Sequence, residues 1–516
     1  MSASLSRNAA DPYQQGLVLA DSGRHAEAIE RFERALALRP DDTRVLFALG
    51  RTADAVGHQG AAESFFRRVL AQEPDRLEAL VSLANLMRKS TRTGDIIALL
   101  KPALGRNPER AELWLTLGTA LREAGDLATA ETFYREALRL QQGYGAAMGN
   151  LADLLADRGD VAEALALYDR LLAAGAQNAQ ARLNRAVLLL MRGELKKGWR
   201  DYEHRLKIKS RVITADHGLP AWDGKARAHK NVLVAAEQGI GDQIMFASLI
   251  PDLQSLLARR GSKVILEAEP RLVPLFARSF EGVAVAAARM EALGGTTLAH
   301  YDWLQPGEAH AAIALGSLAS LLRNDVAPFP DPHAYLKADA AETARWTAWL
   351  KAQGPGPFVG LCWRSGKVSG LRAAQYAPLE AWAAFIRDIP ATPVSLQYDV
   401  QPGELETLQR LSGRAILVPP ALDQKQEIDR TAAMIATLDA VVTAPTAVSW
   451  MAAGLGVPTF KILYNNSWTS FGKCYEPFAP SCRCLMPKTS GDWGDAFAQA
   501  TLALSPLLAS GAQPAP

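Results

Sequence analysis

The apolar positions of the first 205 residues recur in paired helical stripes with a period of 34 residues. Pro40, Pro74 and Pro108 stand one period apart, and each closes a segment patterned as a helical hairpin. Proline offers no amide hydrogen and restricts the residue before it, so each of the three marks the end of a second helix. In the frame they define, Gly16, Gly50 and Gly118 share one position, where two helices touch only if no side chain intervenes. Gly23, Gly57, Gly125 and Gly159 fall at the turn between helices. Ala28, Ala62, Ala130 and Ala164 recur at the next close contact, and Phe32, Phe66, Tyr134 and Tyr168 follow four residues later, large enough to fill the gap between hairpins. The period stops at Arg205. Residues 206–230 are polar, unpatterned and interrupted by proline and glycine, and read as a linker. From Asn231 short apolar runs alternate with helical patterns, as a doubly wound α/β sheet requires.

The residues of the 34-residue frame match the tetratricopeptide repeat (TPR) consensus over about residues 9–178, with a degenerate sixth unit up to Arg205. The resemblance implies an α-solenoid of TPR helical hairpins over residues 11–205, after a disordered N-terminus over residues 1–10. The concave face of such a stack is where a protein partner is expected. The third unit departs from the pattern, with Thr91 and Leu100 where glycine and an aromatic are expected, which predicts an irregular turn there.

In the second half, NVLVAA (231–236) and KVILEAE (263–269) are predicted strands of a first lobe, residues 231–345, with a helix from about Asp242 between them. FVGLCW, TPVSLQY, AILVPP, AVVTAP and PTFKIL are predicted strands of a second lobe, residues 346–510, with helices from near Leu379, Glu427 and Thr446. Ligands of open α/β sheets bind beyond the carboxyl ends of strands, so the loops after NVLVAA, FVGLCW and AVVTAP form the candidate site.

The first of these loops, EQGIGDQIMF (237–246), carries Glu237, Gln238, Gly239 and Gly241 ahead of Asp242. Its glycines permit a tight turn, and the helix that follows presents backbone N–H groups. Asp242 suits two roles, a helix cap or a base that takes a proton from a hydroxyl at an interlobe cleft. The second loop, WRSGKVSGLR (363–372), gathers Arg364, Lys367 and Arg372 around Ser365 in a turn able to neutralise a phosphate. In the third, APTAVSWMAAGLG (444–456), Thr446 opens a helix. Its hydroxyl acts as an N-cap, and the N–H groups at Ala447 and Val448 form an anion site; the two roles are compatible. Gln397 and Tyr398 end a strand facing the cleft and are candidates for nucleoside contact, while Asp429 either bonds a ribose hydroxyl or caps the helix it opens.

The string EQGxGDxIxF, with PAWDGK (220–225) before it, resembles the catalytic domain shared by bacterial TPR-linked glycosyltransferases, which is related to the lipopolysaccharide heptosyltransferases. The resemblance runs in order from Trp222 to about Trp493 and takes in WRSG, SLQYD (395–399), DQKQEID (423–429) and the Thr446 segment. It implies a GT-B fold of two Rossmann-like lobes, the first on the acceptor side and the second on the nucleotide-sugar side. It also implies Asp242 as base, Arg364 and Lys367 on the donor phosphate, and Thr446 at the donor's phosphate or diphosphate. One departure is Ala453 before Gly454, where many relatives have the reverse order, a change that bears on packing more than chemistry. The wording VTAPTAVSWMAAGLGVPTFK (442–461) is similar to flagellin-modifying members of alphaproteobacteria. That likeness implies flagellin as acceptor and a CMP-activated nonulosonic acid, such as pseudaminic acid, as donor.

Composition narrows the classes further. Lys and Arg total 56 against 54 Asp and Glu, and a net charge of +2 provides no global field for nucleic acid or an anionic membrane. No stretch approaches the roughly 20 apolar residues of a membrane span. MSASLSRNAADPY lacks the apolar core of a signal peptide, so the expected location is the cytoplasm. Cys362, Cys474, Cys482 and Cys484 lack zinc-ligand spacing and read as reduced structural thiols. No DxD-type carboxylate pair stands in a donor loop, so no metal or separate cofactor is expected. The leading reading is a metal-independent, inverting O-glycosyltransferase that modifies Ser or Thr of a protein held by the repeats. Two alternatives stay open: a catalytically inactive TPR assembly or regulatory factor for flagellar proteins, and a transferase acting on a glycan or lipopolysaccharide.

Overall fold

A computed structural model describes residues 11–175, 178–208, 213–237, 239–293, 296–325, 329, 334–366, 375–489 and 491–509. The segment 1–10, expected to be disordered, lies outside them. The chain divides into two compact units, residues 1–176 and 177–516.

Among the described residues of the first unit, ten helices form five hairpins: α1 (Pro12–Asp21) with α2 (His25–Leu38), α3 (Thr43–Ala55) with α4 (Gln59–Gln72), α5 (Leu77–Lys89) with α6 (Thr93–Arg106), α7 (Ala111–Glu123) with α8 (Leu127–Leu140), and α9 (Gly145–Arg158) with α10 (Val161–Ala173). The second helices α2, α4 and α6 stop just before Pro40, Pro74 and Pro108. A Cβ built on Gly16 or Gly50 would lie 2.5 or 2.6 Å from the ring of Phe32 or Phe66, and one on Gly118 3.0 Å from Tyr134. These glycine–aromatic pairs are therefore steric necessities, and their rings are buried in the first, second and fourth hairpins.

The expected irregular turn in the third hairpin does not occur. Thr91 takes φ 55°, the left-handed conformation that Gly23, Gly57, Gly125 and Gly159 adopt at φ 75°, 84°, 88° and 97° in the equivalent turns. A residue with a Cβ is disfavoured there by roughly 1–2 kcal/mol, part of which glycine would give back through its freer unfolded chain. Thr91→Gly is thus expected to stabilise this unit by about 0.5–1 kcal/mol, read as a higher urea midpoint at unchanged slope.

The second unit begins with a sixth hairpin, α11 (Ala179–Met191) and α12 (Leu195–Tyr202). This hairpin shares one hydrophobic core with both α/β lobes through Leu190, Leu195, Trp199 and Tyr202. Trp199 stands edge-on to Phe246, Trp468, Phe471 and Phe478, and its indole N–H donates to the Arg323 carbonyl at 2.7 Å.

The first lobe contains β1 (Ile213–Ala215), β2 (Val232–Ala235), α13 (Ile240–Ala247), α14 (Ile250–Ala258), β3 (Val264–Glu267), α15 (Val273–Ser279), β4 (Ala284–Ala286), β5 (Arg289–Leu293), β6 (Thr296–His300), β7 (Ala311–Ala314) and α16 (Leu318–Leu322). Its main sheet, β4-β3-β2-β7, is parallel throughout, and β1-β6-β5 form a small second sheet. The segment read as a linker is built into this lobe. Its β1 pairs with β6, and Trp222 reaches the core while its amide donates to the Ala312 carbonyl at 2.8 Å.

The second lobe contains α17 (Ala340–Gln353), β8 (Phe358–Cys362), α18 (Leu379–Asp388), β9 (Thr392–Ser395), α19 (Glu404–Ser412), α20 (Ile428–Ile435), β10 (Ala440–Thr443), α21 (Ala447–Gly454), β11 (Thr459–Ile462), β12 (Tyr475–Glu476), β13 (Ala479–Leu485) and α22 (Trp493–Ala509). The expected boundary between residues 345 and 346 falls inside α17, so one continuous helix carries the chain across it. The sheet order is β12-β13-β11-β10-β8-β9, parallel except for the short β12. AILVPP is not a strand: only Leu417 bridges to Val394, because the prolines that follow have no amide hydrogen to extend a ladder. Among the described residues no helix is long and apolar enough to cross a membrane.

Candidate functional site

Strand β2 ends at Ala235, and the chain turns through Gly239 into α13. Gly239 is the N-cap, at φ 96° and ψ 115°, where any side chain would be strained and a Cβ would meet the Asp242 carboxylate at 3.0 Å. Asp242 is therefore not the N-cap residue. It sits in the first turn, where the unsatisfied N–H groups and the helix dipole favour a carboxylate. Gly241 faces Ala447 and Trp450 of α21, and a Cβ there would stand 3.6 Å from them, an ordinary contact. The first turns of α13 and α21 thus meet across the two lobes.

In the second lobe Thr446 is the N-cap of α21, its hydroxyl accepting from the Val448 amide at 3.3 Å. That bond occupies one of the two N–H groups expected to bind an anion. The Thr446 hydroxyl also lies 3.3 Å from that of Thr443 and 3.6 Å from the Cys362 sulfur. Burial pushes the Cys362 thiol up to about 11, which keeps it neutral. Among the described residues Cys362, Cys482 and Cys484 are buried and reduced, and Cys474 is exposed and reduced.

Between these helix starts lies a cavity of about 560 Å³. Gly239, Gly241 and Asp242 line one side, and Ser365, Tyr398, Thr446, Ala447, Val448 and Trp468 line the other. Burial raises the Tyr398 phenol above its usual range, so it stays protonated, within hydrogen-bonding reach of Ser365. Arg271, Lys425 and Lys461 also line the cavity, with Asp242 as the one acid among the described lining residues, so its walls favour an anionic guest. Among the described residues no group of three or more His, Cys, Asp or Glu is placed to hold a metal ion.

Four predicted site residues stand elsewhere, each held by a partner. Arg364 forms a two-bond pair with Glu404, both contacts 2.6 Å, and donates to the carbonyls of Ser365 and Asp399 at 3.1 and 2.9 Å. With four of its five N–H donors so used, it fixes the loop after β8 rather than facing the cavity. Gln397 accepts from the amides of Trp363 and Arg364 at 2.9 and 3.0 Å and donates to the carbonyls of Arg364 and Tyr398 at 2.9 and 2.7 Å. It is a buried clamp on the same loop, not a nucleoside contact. Asp429 pairs with Arg278 of α15 and ties the two lobes together, while Glu427 caps α20. Glu237 pairs with Arg205 at 2.7 and 2.9 Å and accepts from the Gly316 amide. Gln238, Lys367 and Arg372 lie outside the described residues.

The description Tetratricopeptide repeat matches this chain over residues 19–86 and 121–188, and in a second form over residues 91–145. The N-terminal region is a tetratricopeptide repeat array. Protein FlbA of Caulobacter vibrioides is 33% identical over 317 residues, 61% of this chain and 53% of FlbA. The chain thus spans about half the length of that curated relative. Solved structures similar to it include a thermophilic TPR protein of Thermus thermophilus (28% identity, 35% of this chain, 97% of that one, TM-score 0.31) and the type IV pilus biogenesis factor PilW (18% identity, 39% of this chain, 91% of that one, TM-score 0.34). The repeat match ends at residue 188, inside α11. The sequence signature of the TPR array therefore runs into the hairpin whose Trp199 and Tyr202 pack on the cavity residue Trp468.

Arg271, Lys425, Lys461 and Trp468 went unnoticed in the sequence. Arg271 bonds Glu269 at 2.8 Å and the Lys425 carbonyl at 2.7 Å, linking the first lobe to the loop before α20. Only Lys461 carried a local signal, as a single charge inside the apolar run PTFKIL.

Proposed function

We propose that this chain is a protein glycosyltransferase of GT-B type that moves a sugar from a nucleotide donor to a Ser or Thr hydroxyl of a protein presented by its TPR array. The observation that carries the reading is the meeting of two helix N-termini at one cavity, with Asp242 on one wall and Thr446 on the other. The donor's phosphate rests at the start of α21, where backbone N–H groups and the helix dipole stabilise the charge that grows as the sugar–phosphate bond breaks. Asp242 accepts the proton of the acceptor hydroxyl while its oxygen attacks the anomeric carbon from the opposite face, a single displacement that inverts configuration. The order of EQGxGDxIxF, WRSG and the Thr446 segment supports this assignment, as does the surplus of cations around the cavity. Flagellin as acceptor and a CMP-linked nonulosonic acid as donor rest on the wording of residues 442–461.

The test is the intact mass of flagellin from cells with the protein, without it, and with Asp242→Asn. The expected result is a loss of whole sugar masses in both altered strains, the step size naming the sugar. An unchanged mass on complete deletion, for flagellin and for proteins that co-purify with residues 1–205, would sink the transferase reading in favour of an assembly factor.

A further inference from the structure

Strand β11 lies between β10 and β13, and all four of its residues are buried. Phe460 and Ile462 enter the core beneath α18 and α22, so alternation sends Lys461 to the opposite face, under α21. A lysine in an interior strand is rare and expensive to bury. Its partner Glu476 is fully buried, and one carboxylate oxygen accepts from the Lys461 ammonium at 2.5 Å, the Thr469 hydroxyl at 2.9 Å and the Cys484 thiol at 3.4 Å. The other oxygen has no partner among the described residues. A well-packed apolar pair would hold this region at least as well, so stability alone does not account for the two charges.

What distinguishes the pair is its orientation. Lys461 lines the cavity and Glu476 does not, so the lysine is the member of the pair that a guest would meet. Burial opposes the ammonium's charge, but Glu476 beside it overrides that and holds the lysine above its usual range. Of its three N–H groups, one serves Glu476, and the face of Trp450, 4.1 Å away, accounts for another. Arg271 is bonded to Glu269 and the Lys425 carbonyl, and Lys425 is half-exposed, which leaves Lys461 as the cavity's buried cation.

We propose that Lys461 grips an oxyanion of the ligand, a phosphate or a sugar carboxylate, and that Glu476 positions the ammonium for it. The inference rests on the cavity being the donor site proposed above. Calorimetric titration of the full chain with cytidine monophosphate, inorganic phosphate and glucuronate tests it without requiring turnover. Lys461→Met combined with Glu476→Leu removes both charges and should keep the urea midpoint of the wild type while weakening probe binding at least tenfold. Glu476→Gln keeps an acceptor for the ammonium but removes the charge that offsets its burial, so it should weaken probe binding in the same direction, by less than the double variant. Weakening confined to the two phosphates assigns the grip to phosphate, and weakening confined to glucuronate assigns it to a carboxylate. Unchanged affinity in the folded double variant, or no saturable binding of any probe to the wild type, overturns the inference. If the double variant does not fold, unchanged affinity in folded Glu476→Gln overturns it too. Probe binding that follows the expected pattern while neither flagellin nor any protein that co-purifies with residues 1–205 changes mass on deletion would leave Lys461 in place and remove the transferase reading.

Discussion

Asp242→Asn is expected to slow sugar transfer by roughly a hundredfold to ten-thousandfold, the usual contribution of a positioned general base. The variant should stay folded. Gly239, not Asp242, is the N-cap residue of α13, and the carboxylate's interaction with the helix dipole that the substitution removes is worth about 1 kcal/mol. Asparagine keeps the size and most of the hydrogen bonding of the side chain but has no basic oxygen for a departing proton. Donor binding should also persist, because the groups proposed to hold the phosphate lie on the opposite wall. The measurement is single-turnover transfer to purified acceptor, set beside a urea titration of the same sample. A structural role for Asp242 predicts the reverse pattern, a stability loss above 1 kcal/mol with transfer intact, and that result would remove the base from the mechanism.

How far the site was legible depended on whether local rules determined each residue. The TPR frame was readable because one steric relation, glycine against a ring, repeats at a fixed spacing and needs no long-range information. Strands β2, β3, β8, β10 and β11 were readable as apolar runs, and Gly239 and Thr446 as a strand-to-helix turn and a cap. Arg364, Gln397 and Asp429 were misread for a common reason. Each stands at the carboxyl end of a strand or at a helix start, where ligand-binding residues gather, yet each is bound by a group 33 to 151 residues away that no local pattern announces. Turn Thr91 shows the opposite failure, a broken consensus whose backbone the neighbouring helices still impose. The segment 206–230 looked unstructured because what ties its described residues to the lobe, chiefly Trp222 and the three-residue β1, follows no periodic pattern.

Arg205→Ala is expected to destabilise the second unit by about 3 kcal/mol, the lower end of the range for stripping one partner from a buried ion pair, since Glu237 keeps about a fifth of its side-chain exposure. The guanidinium bonds Glu237 twice, the Ser317 hydroxyl at 2.9 Å, Glu203 at 3.1 Å and the Tyr202 carbonyl at 3.2 Å, and it stacks 4.4 Å from the Tyr202 ring. Burial works against its charge, but Glu237 more than compensates and holds Arg205 above its ordinary value. Lysine should not rescue the site, because an ammonium can neither bridge Glu237 with two parallel bonds nor stack on the tyrosine. Glu237 also opens the loop that delivers Asp242, and its carbonyl accepts from Gln243 at 2.7 Å. Transfer by Arg205→Ala should therefore fall by more than its loss of folded protein, with the decrease mainly in kcat, because the loosened loop would misplace the proposed base without touching the wall proposed for the donor. Glu237→Gln keeps an acceptor for the Gly316 amide and should lose less stability than Arg205→Ala. Equal urea midpoints for wild type and Arg205→Ala would mean that the pair merely sits between hairpin and loop, and that the loop owes its shape to Gly239 and the α13–α21 contact instead.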